Sequence, residues 1–154
     1  DLHAAVWTAV EAYRLRDDAR RFENCETNYA AKLGLSAAIR YADSLGMDAI
    51  RDRVQALGES LRRRLEAIDG VTIADCGETL CGIVTFFVAG LASIEIARAL
   101  GRSGINVSVS EVAVARLDLE ARGLPDLVRA SVHYYNTDEE LDRLSEAVAR
   151  LAAG

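Results

Sequence analysis

A single arginine in the middle of an alternating stretch, Val128-Arg129-Ala130-Ser131-Val132-His133-Tyr134, carries the clearest chemical potential in this sequence. Side chains on a strand alternate between two faces. Val128, Ala130, Val132 and Tyr134 therefore share one side, and Arg129, Ser131 and His133 share the other. A guanidinium held on a rigid strand is a receptor for carboxylates, because its donors form a fixed planar fork. Directly afterwards, Thr137-x-x-Glu140 spells a capping box, with Asp138 and Glu139 adding negative charge at the positive end of the helix that follows. The same arginine can equally face solvent, or pair with Asp142 or Glu140. Residue types alone leave both roles open.

Other reactive residues are sparse. Cys25, Cys76 and Cys81 are the only cysteines, and His3 and His133 the only histidines. Cys76-x4-Cys81 has no second pair and the histidines stand far apart, so a zinc site is not expected. An odd cysteine count with no secretory signal points to reduced thiols in a cytoplasm, at buried or turn positions. His133 shares a strand face with Arg129, and Arg116 can meet a substrate side chain or pair with Asp118 or Glu120.

The run Arg129-Ala-Ser-x-x-x-Tyr135-Asn136-Thr137-x-x-Glu140-Leu-Asp142 resembles the C-terminal signature of class V aminotransferases, the family that includes cysteine desulfurases and related fold-type I pyridoxal-phosphate enzymes. Arg21-Phe22-Glu23, followed by Asn28-Tyr29-Ala30-Ala31, is similar to the family's Arg-Phe-Glu segment leading into its small domain. The two matches lie in the family's order, so the resemblance covers essentially the whole chain. It implies a C-terminal small domain, residues 27–154, behind an interdomain lead-in at 1–26. The large domain of the same polypeptide would hold most of the pyridoxal 5'-phosphate, and the full-length enzyme would be a homodimer acting on an amino acid.

Such an enzyme needs a lysine for its Schiff base and a carboxylate near the pyridine nitrogen. Lys32 is the only lysine here and falls inside an Ala-rich segment, so the resemblance implies no catalytic residue in this chain. The family's strand arginine binds the substrate α-carboxylate, and Arg129 occupies that position. The family's Arg-Phe-Glu is usually followed by Gly-Thr, whose threonine reaches the cofactor phosphate of the partner subunit. Asn24-Cys25-Glu26-Thr27-Asn28 stands there instead, leaving Thr27 or Asn28 to take that contact or to cap a helix. Desulfurases also carry a persulfide-forming cysteine in the loop before the signature arginine, and residues 108–118 contain none. Sulfur transfer needs an exposed thiolate nucleophile. Transamination, epimerisation or C–S lysis is therefore expected over persulfide-type desulfuration. A different class of reading is a stand-alone, non-catalytic α+β binding or dimerisation module, which fold alone permits.

The elements that must position Arg129 follow from periodicity. A polar lead-in opens the chain, with Leu2, Ala5, Val6 and Ala9 able to line one face of a short helix. Helices are expected at about 28–44, with Tyr29, Leu33, Ala37 and Tyr41 as a stripe, and at 48–68, where Ile50, Val54, Leu57, Leu61, Leu65 and Ile68 recur at steps of three and four. Arg62, Arg63 and Arg64 read as a solvated face of the second helix. Ser93 should cap a helix to about 101, and a last helix should span 138–152. Strands are expected at 71–73, 82–88, 105–109 and 128–133, with an irregular stretch at 111–126. Together these predict an α+β, two-layer domain with helices on one face of a small, mostly antiparallel sheet.

At 154 residues and 51% hydrophobic content, with one proline, the chain is long and apolar enough for one real core. The net charge of −6 argues against nucleic acid or an anionic membrane as a partner. No apolar run approaches the roughly 20 residues that span a bilayer. A start at Asp1 with Met47 as the sole methionine reads as a fragment of something longer.

Overall fold

The computed structural model describes residues 4–23 and 26–154, so the expectations on Leu2, His3, Asn24 and Cys25 lie outside the described residues. The chain divides into two units, Asp1–Ser44 and Leu45–Gly154.

The first unit opens with a hairpin and not with the short helix that the spacing of Ala5, Val6 and Ala9 suggested. β1 (Ala5–Ala9) pairs antiparallel with β2 (Ala12–Leu15), matching Val6 to Arg14 and Trp7 to Tyr13. Two residues suffice to join them, and the β-branched and aromatic side chains between the alanines favour a pleated surface over a helix. The Trp7 and Tyr13 rings meet edge to face across the strands, with centroids 6.2 Å apart. A 3₁₀ turn (Ala19–Phe22) follows, capped by Asp18. α1 (Tyr29–Leu45) begins where Asn28 Oδ1 accepts the Ala31 N–H at 2.9 Å. The helix buries none of its residues, and its expected stripe of Tyr29, Leu33 and Tyr41 stands exposed.

In the second unit, α2 (Met47–Glu66), α3 (Ser93–Arg102) and α5 (Asp138–Ala152) cover one face of a four-stranded antiparallel sheet. Its strands are β3 (Val71–Ile73), β4 (Ile83–Val88), β5 (Ser108–Ser110) and β6 (Leu127–Ser131), in the order β3-β4-β6-β5. The α+β, two-layer arrangement expected from periodicity is the one observed. Leu57, Leu61 and Leu65 recur every four residues on α2 and pack with Ile96, Leu141 and Val148 against Val84, Phe86, Val128 and Ala130. On the opposite face, a short α4 (Arg116–Leu119) brings Leu119 against Leu127 and Ala74. A helix therefore lies within the stretch expected to be irregular.

Three local expectations change. The strand expected over 105–109 forms only at Ser108–Ser110, because the Ile105 N–H is bonded to the Leu100 carbonyl at 3.0 Å. That bond folds the segment back on the end of α3, where Gly104 turns with φ 73°. Ser93 does not cap α3 through its side chain, which is buried and donates to the Asp126 carbonyl at 2.6 Å. β6 ends at Ser131, two residues before the expected end, although the Val132 N–H still reaches the Gly82 carbonyl at 2.8 Å.

Gly82 is where sheet and helix come closest. A Cβ there would lie 2.6 Å from both the Val132 oxygen and Val54 Cγ1. Gly82→Ala should cost about 1–3 kcal/mol, since the backbone oxygen has little room to yield. Gly101→Ala, with nothing within 4 Å, should be neutral or slightly stabilising. Urea midpoints of the two variants check this.

The capping box is present as expected. Thr137 Oγ1 accepts the Glu140 N–H at 3.3 Å, and Glu140 Oε2 accepts the Thr137 N–H at 3.1 Å. The Asn136 amide and then the Thr137 N–H hold the Glu140 carboxyl below the usual glutamate range. A depressed folded-state pKa contributes stability that is present above the unfolded value and lost as pH falls through the folded one. Glu140→Gln should thus be less stable than the parent at neutral pH, with the difference shrinking in acid. Urea unfolding at a series of pH values measures it.

Candidate functional site

Alternation on β6 decides where Arg129 points. Val128 and Ala130 enter the three-helix core, so Arg129 stands on the other face of the same strand and is exposed. β6 is an inner strand, with Thr85 of β4 directly across from Arg129 on one side and Ser108 of β5 on the other. Arg129 Nε–H donates to Ser108 Oγ at 2.9 Å. The alternative partners are taken: Asp142 by Arg64 Nε at 2.9 Å, and Glu140 by Asn136 and Thr137. Arg129 forms no ion pair with any described residue, and its terminal nitrogens are left without a carboxylate.

On the far side of Thr85 lies a polar network that sequence reasoning missed. Arg62 Nε donates to Asp75 Oδ2 at 2.7 Å. Asp75 Oδ1 accepts from the Thr85 N–H at 2.8 Å and from its hydroxyl. Arg62 Nη2 reaches the carbonyls of Cys81 and Ile83 at 2.9 and 2.8 Å. The Arg62 and Asp75 side chains are only 11% and 8% exposed. The expected solvated arginine face is therefore corrected for Arg62. Arg63 does lie in solvent, paired with Glu59, while Arg64 ties α2 to Asp138 and Asp142 of α5. Helical phase carried the signal: Arg62 is one turn after Gly58, beside the Leu57/Leu61/Leu65 stripe, and so at the rim of the core.

Arg62, Asp75, Cys76, Cys81, Leu119 and Arg122 border a cavity of about 320 Å³. Cys76 and Cys81 occupy the connection between β3 and β4, as turn positions, but both are exposed and neither is a buried small residue. Among the described residues, no group of three or more His, Cys, Asp or Glu could hold a metal ion.

The other candidates have partners of their own. His133 lies beyond the end of β6, so it does not share a strand face with Arg129. Its ring stacks on Tyr135 at 4.8 Å, and its backbone N–H donates to Asn136 Oδ1 at 2.7 Å. Arg116 pairs with Glu120 at 3.0 Å in solvent. In the first unit, Asn28 spends its carbonyl oxygen on the cap of α1, and Lys32 Nζ sits 5.9 Å from the Tyr29 ring centroid.

An α+β domain with a capped C-terminal helix and an uncompensated arginine on an inner strand is thereby defined. The class-V aminotransferase family model matches residues 5–144, and the chain belongs to that family. It is 36% identical to a probable cysteine desulfurase of Mycolicibacterium paratuberculosis, over 99% of this chain and 22% of that protein. A probable cysteine desulfurase of Methanothermobacter thermautotrophicus is 30% identical, over 92% of this chain and 36% of that protein. The apo structure of a cysteine desulfurase from Thermococcus onnurineus superposes with a TM-score of 0.79 at 26% identity, covering 99% of this chain and 38% of that one. The chain thus spans 22% to 36% of the length of these curated relatives.

Pyridoxal phosphate binds as an anion tethered through its carbonyl carbon to a lysine. The residues here fit only the anion end. The Thr27 hydroxyl and the Asn28 amide nitrogen have no partner among the described residues at the start of α1, whereas Lys32 is inside that helix. No chemical step of that cofactor is assigned to this chain.

Burial separates the two kinds of ion pair described above. Asp75→Ala strands a nearly buried arginine and should cost about 3–5 kcal/mol. Glu120→Ala breaks an exposed pair and should cost no more than about 0.5 kcal/mol. Chemical denaturation of both variants measures the contrast.

Proposed function

We propose that residues 27–154 are the C-terminal, substrate-carboxylate-binding domain of a pyridoxal-phosphate enzyme acting on an amino acid, with residues 1–26 as the interdomain lead-in. The observation that carries this reading is Arg129: a guanidinium on an inner strand, anchored by Ser108 through Nε and otherwise without a counter-ion among the described residues. An arginine whose Nε is already bonded presents its two terminal nitrogens as the free edge, the geometry that accepts a carboxylate through paired hydrogen bonds. The strand cannot slip or roll without exposing Val128 and Ala130, so the receptor is preorganised.

In this reading Arg129 binds and orients the substrate through its carboxylate, and the large domain of the same polypeptide supplies the lysine and most of the cofactor contacts. When bound, the cofactor supplies an electron sink for bond cleavage at the substrate's α-carbon. Thr27 and Asn28 are the proposed donors to the cofactor phosphate of a partner subunit in a cytoplasmic homodimer. Among the described residues, no helix is long and apolar enough to cross a bilayer. Transamination, epimerisation or C–S lysis is favoured over persulfide-type desulfuration, because residues 108–118 contain no cysteine. One relative in fold alone, at 23% identity and a TM-score of 0.68, is a cystine C–S lyase.

Arg129→Lys keeps the charge and loses the fork. In the full-length enzyme it should lower kcat/KM for amino acids by about 1.5–3 kcal/mol, mostly through KM, with little change in stability. Unchanged kinetics with a sharply lower melting temperature would make the arginine structural.

A further inference from the structure

We infer that Arg62 is a positioning residue for Arg129: by neutralising Asp75, it keeps that carboxylate from capturing the Arg129 guanidinium. This rests on the reading of Arg129 as a carboxylate receptor and says what keeps the receptor free.

The observation is a juxtaposition across three strands. Thr85 is the cross-strand neighbour of Arg129, and directly opposed side chains have Cβ atoms about 5 Å apart. The Thr85 hydroxyl is bonded to Asp75 Oδ1. Asp75 is therefore bonded to the residue that stands directly across from Arg129. Both Asp75 oxygens and Arg129 Nε are already engaged. Arg62 holds Oδ2 at 2.7 Å, and the Thr85 N–H and hydroxyl hold Oδ1. On the other flank Ser108 fixes Arg129 Nε at 2.9 Å. Arg129 is thus bracketed by two neutral hydroxyl side chains, Ser108 and Thr85, and its charge is left for a ligand.

Arg62 is the cation suited to this task. It enters from α2 on the far side of Asp75 and is locked by the Cys81 and Ile83 carbonyls, so it does not itself approach the receptor. Arg122, which borders the same cavity, is committed to Asp118 at 3.0 Å and to the Ala74 carbonyl. Without the Arg62 charge, Asp75 would be a nearly buried carboxylate with no counter-ion, an unfavourable state. Of the two other arginines described near Thr85 and Asp75, Arg122 is paired with Asp118 and Arg129 has no ionic partner among the described residues; turning Arg129 from Ser108 to Asp75 would relieve that state and block the receptor.

The test compares Arg62→Gln, Arg62→Gln/Asp75→Asn and Arg62→Lys with the parent chain. The readout is the side-chain Nε–Hε NMR resonance of Arg129, assigned by its loss in Arg129→Lys. Without ligand, Arg62→Gln should move this resonance, Asp75→Asn in the same chain should return it to the parent position, and Arg62→Lys should leave it unmoved. Sodium acetate, titrated against equal sodium chloride, should shift it saturably in the parent, at least tenfold more weakly in Arg62→Gln, and again fully in the double variant. A folded Arg62→Gln chain with an unmoved resonance, or a double variant that fails to restore it, overturns the inference. So does an Arg62→Lys chain shifted as far as Arg62→Gln, a comparison that also serves if Arg62→Gln alone does not fold. No response of the parent to acetate overturns the receptor reading itself, while the ligand-free comparison still judges the masking by Arg62.

Discussion

Gly58 and Gly82 meet where α2 crosses the start of β4, and the absence of side chains at both lets helix and strand backbones approach. A Cβ on Gly58 would lie 3.0 Å from the Cys81 carbonyl, and one on Gly82 would strike the Val132 carbonyl. Much of the sheet's arrangement depends on this contact. It lets the Val132 N–H bond to the Gly82 carbonyl, which continues the β4–β6 pairing past Ser131 and supports the register that sets Thr85 beside Arg129. It also brings Arg62, one turn beyond Gly58, close enough to the β4 backbone to hold the Cys81 and Ile83 carbonyls and Asp75 together.

The site is consequently built from both layers. The apolar layer fixes β6 through Val128 and Ala130, and the polar layer fixes charge on the opposite face through Ser108, Thr85 and Asp75. Each layer restrains the other: rolling the strand would expose core, while rotating the guanidinium would break the Ser108 bond. Arginine suits this position because its fork combines a fixed plane with permanent charge.

Elements whose pattern is local were legible in the sequence. Period-two alternation placed Arg129 opposite the core, and the Thr137 and Glu140 spacing gave the capping box in full. What was not legible depends on partners distant in sequence. Arg62 belongs to a run of three arginines, and only the tertiary approach at Gly58 distinguishes it from its solvated neighbour Arg63. Ile105 and Val107 alternate as a strand does, yet the Leu100 carbonyl captures the Ile105 N–H and the ladder starts three residues later. At residues 5–15 the helical spacing of Ala5, Val6 and Ala9 competes with the shapes of Trp7 and Tyr13, which suit the pleated pair that forms. Ser93 is a common capping type, but the Asp126 carbonyl, 33 residues away, takes its hydroxyl.

The outer strands of the four-stranded sheet, β3 and β5, are three residues each. An unpaired strand edge is a template for another chain, and its hazard grows with its length and flatness. Here each edge offers too few backbone groups to nucleate a fifth strand. Growth of the sheet by copies of itself is therefore discouraged at both borders. Association with other polypeptide is directed to the helices and to the open face, where side chains, and not backbone ladders, decide which partner fits.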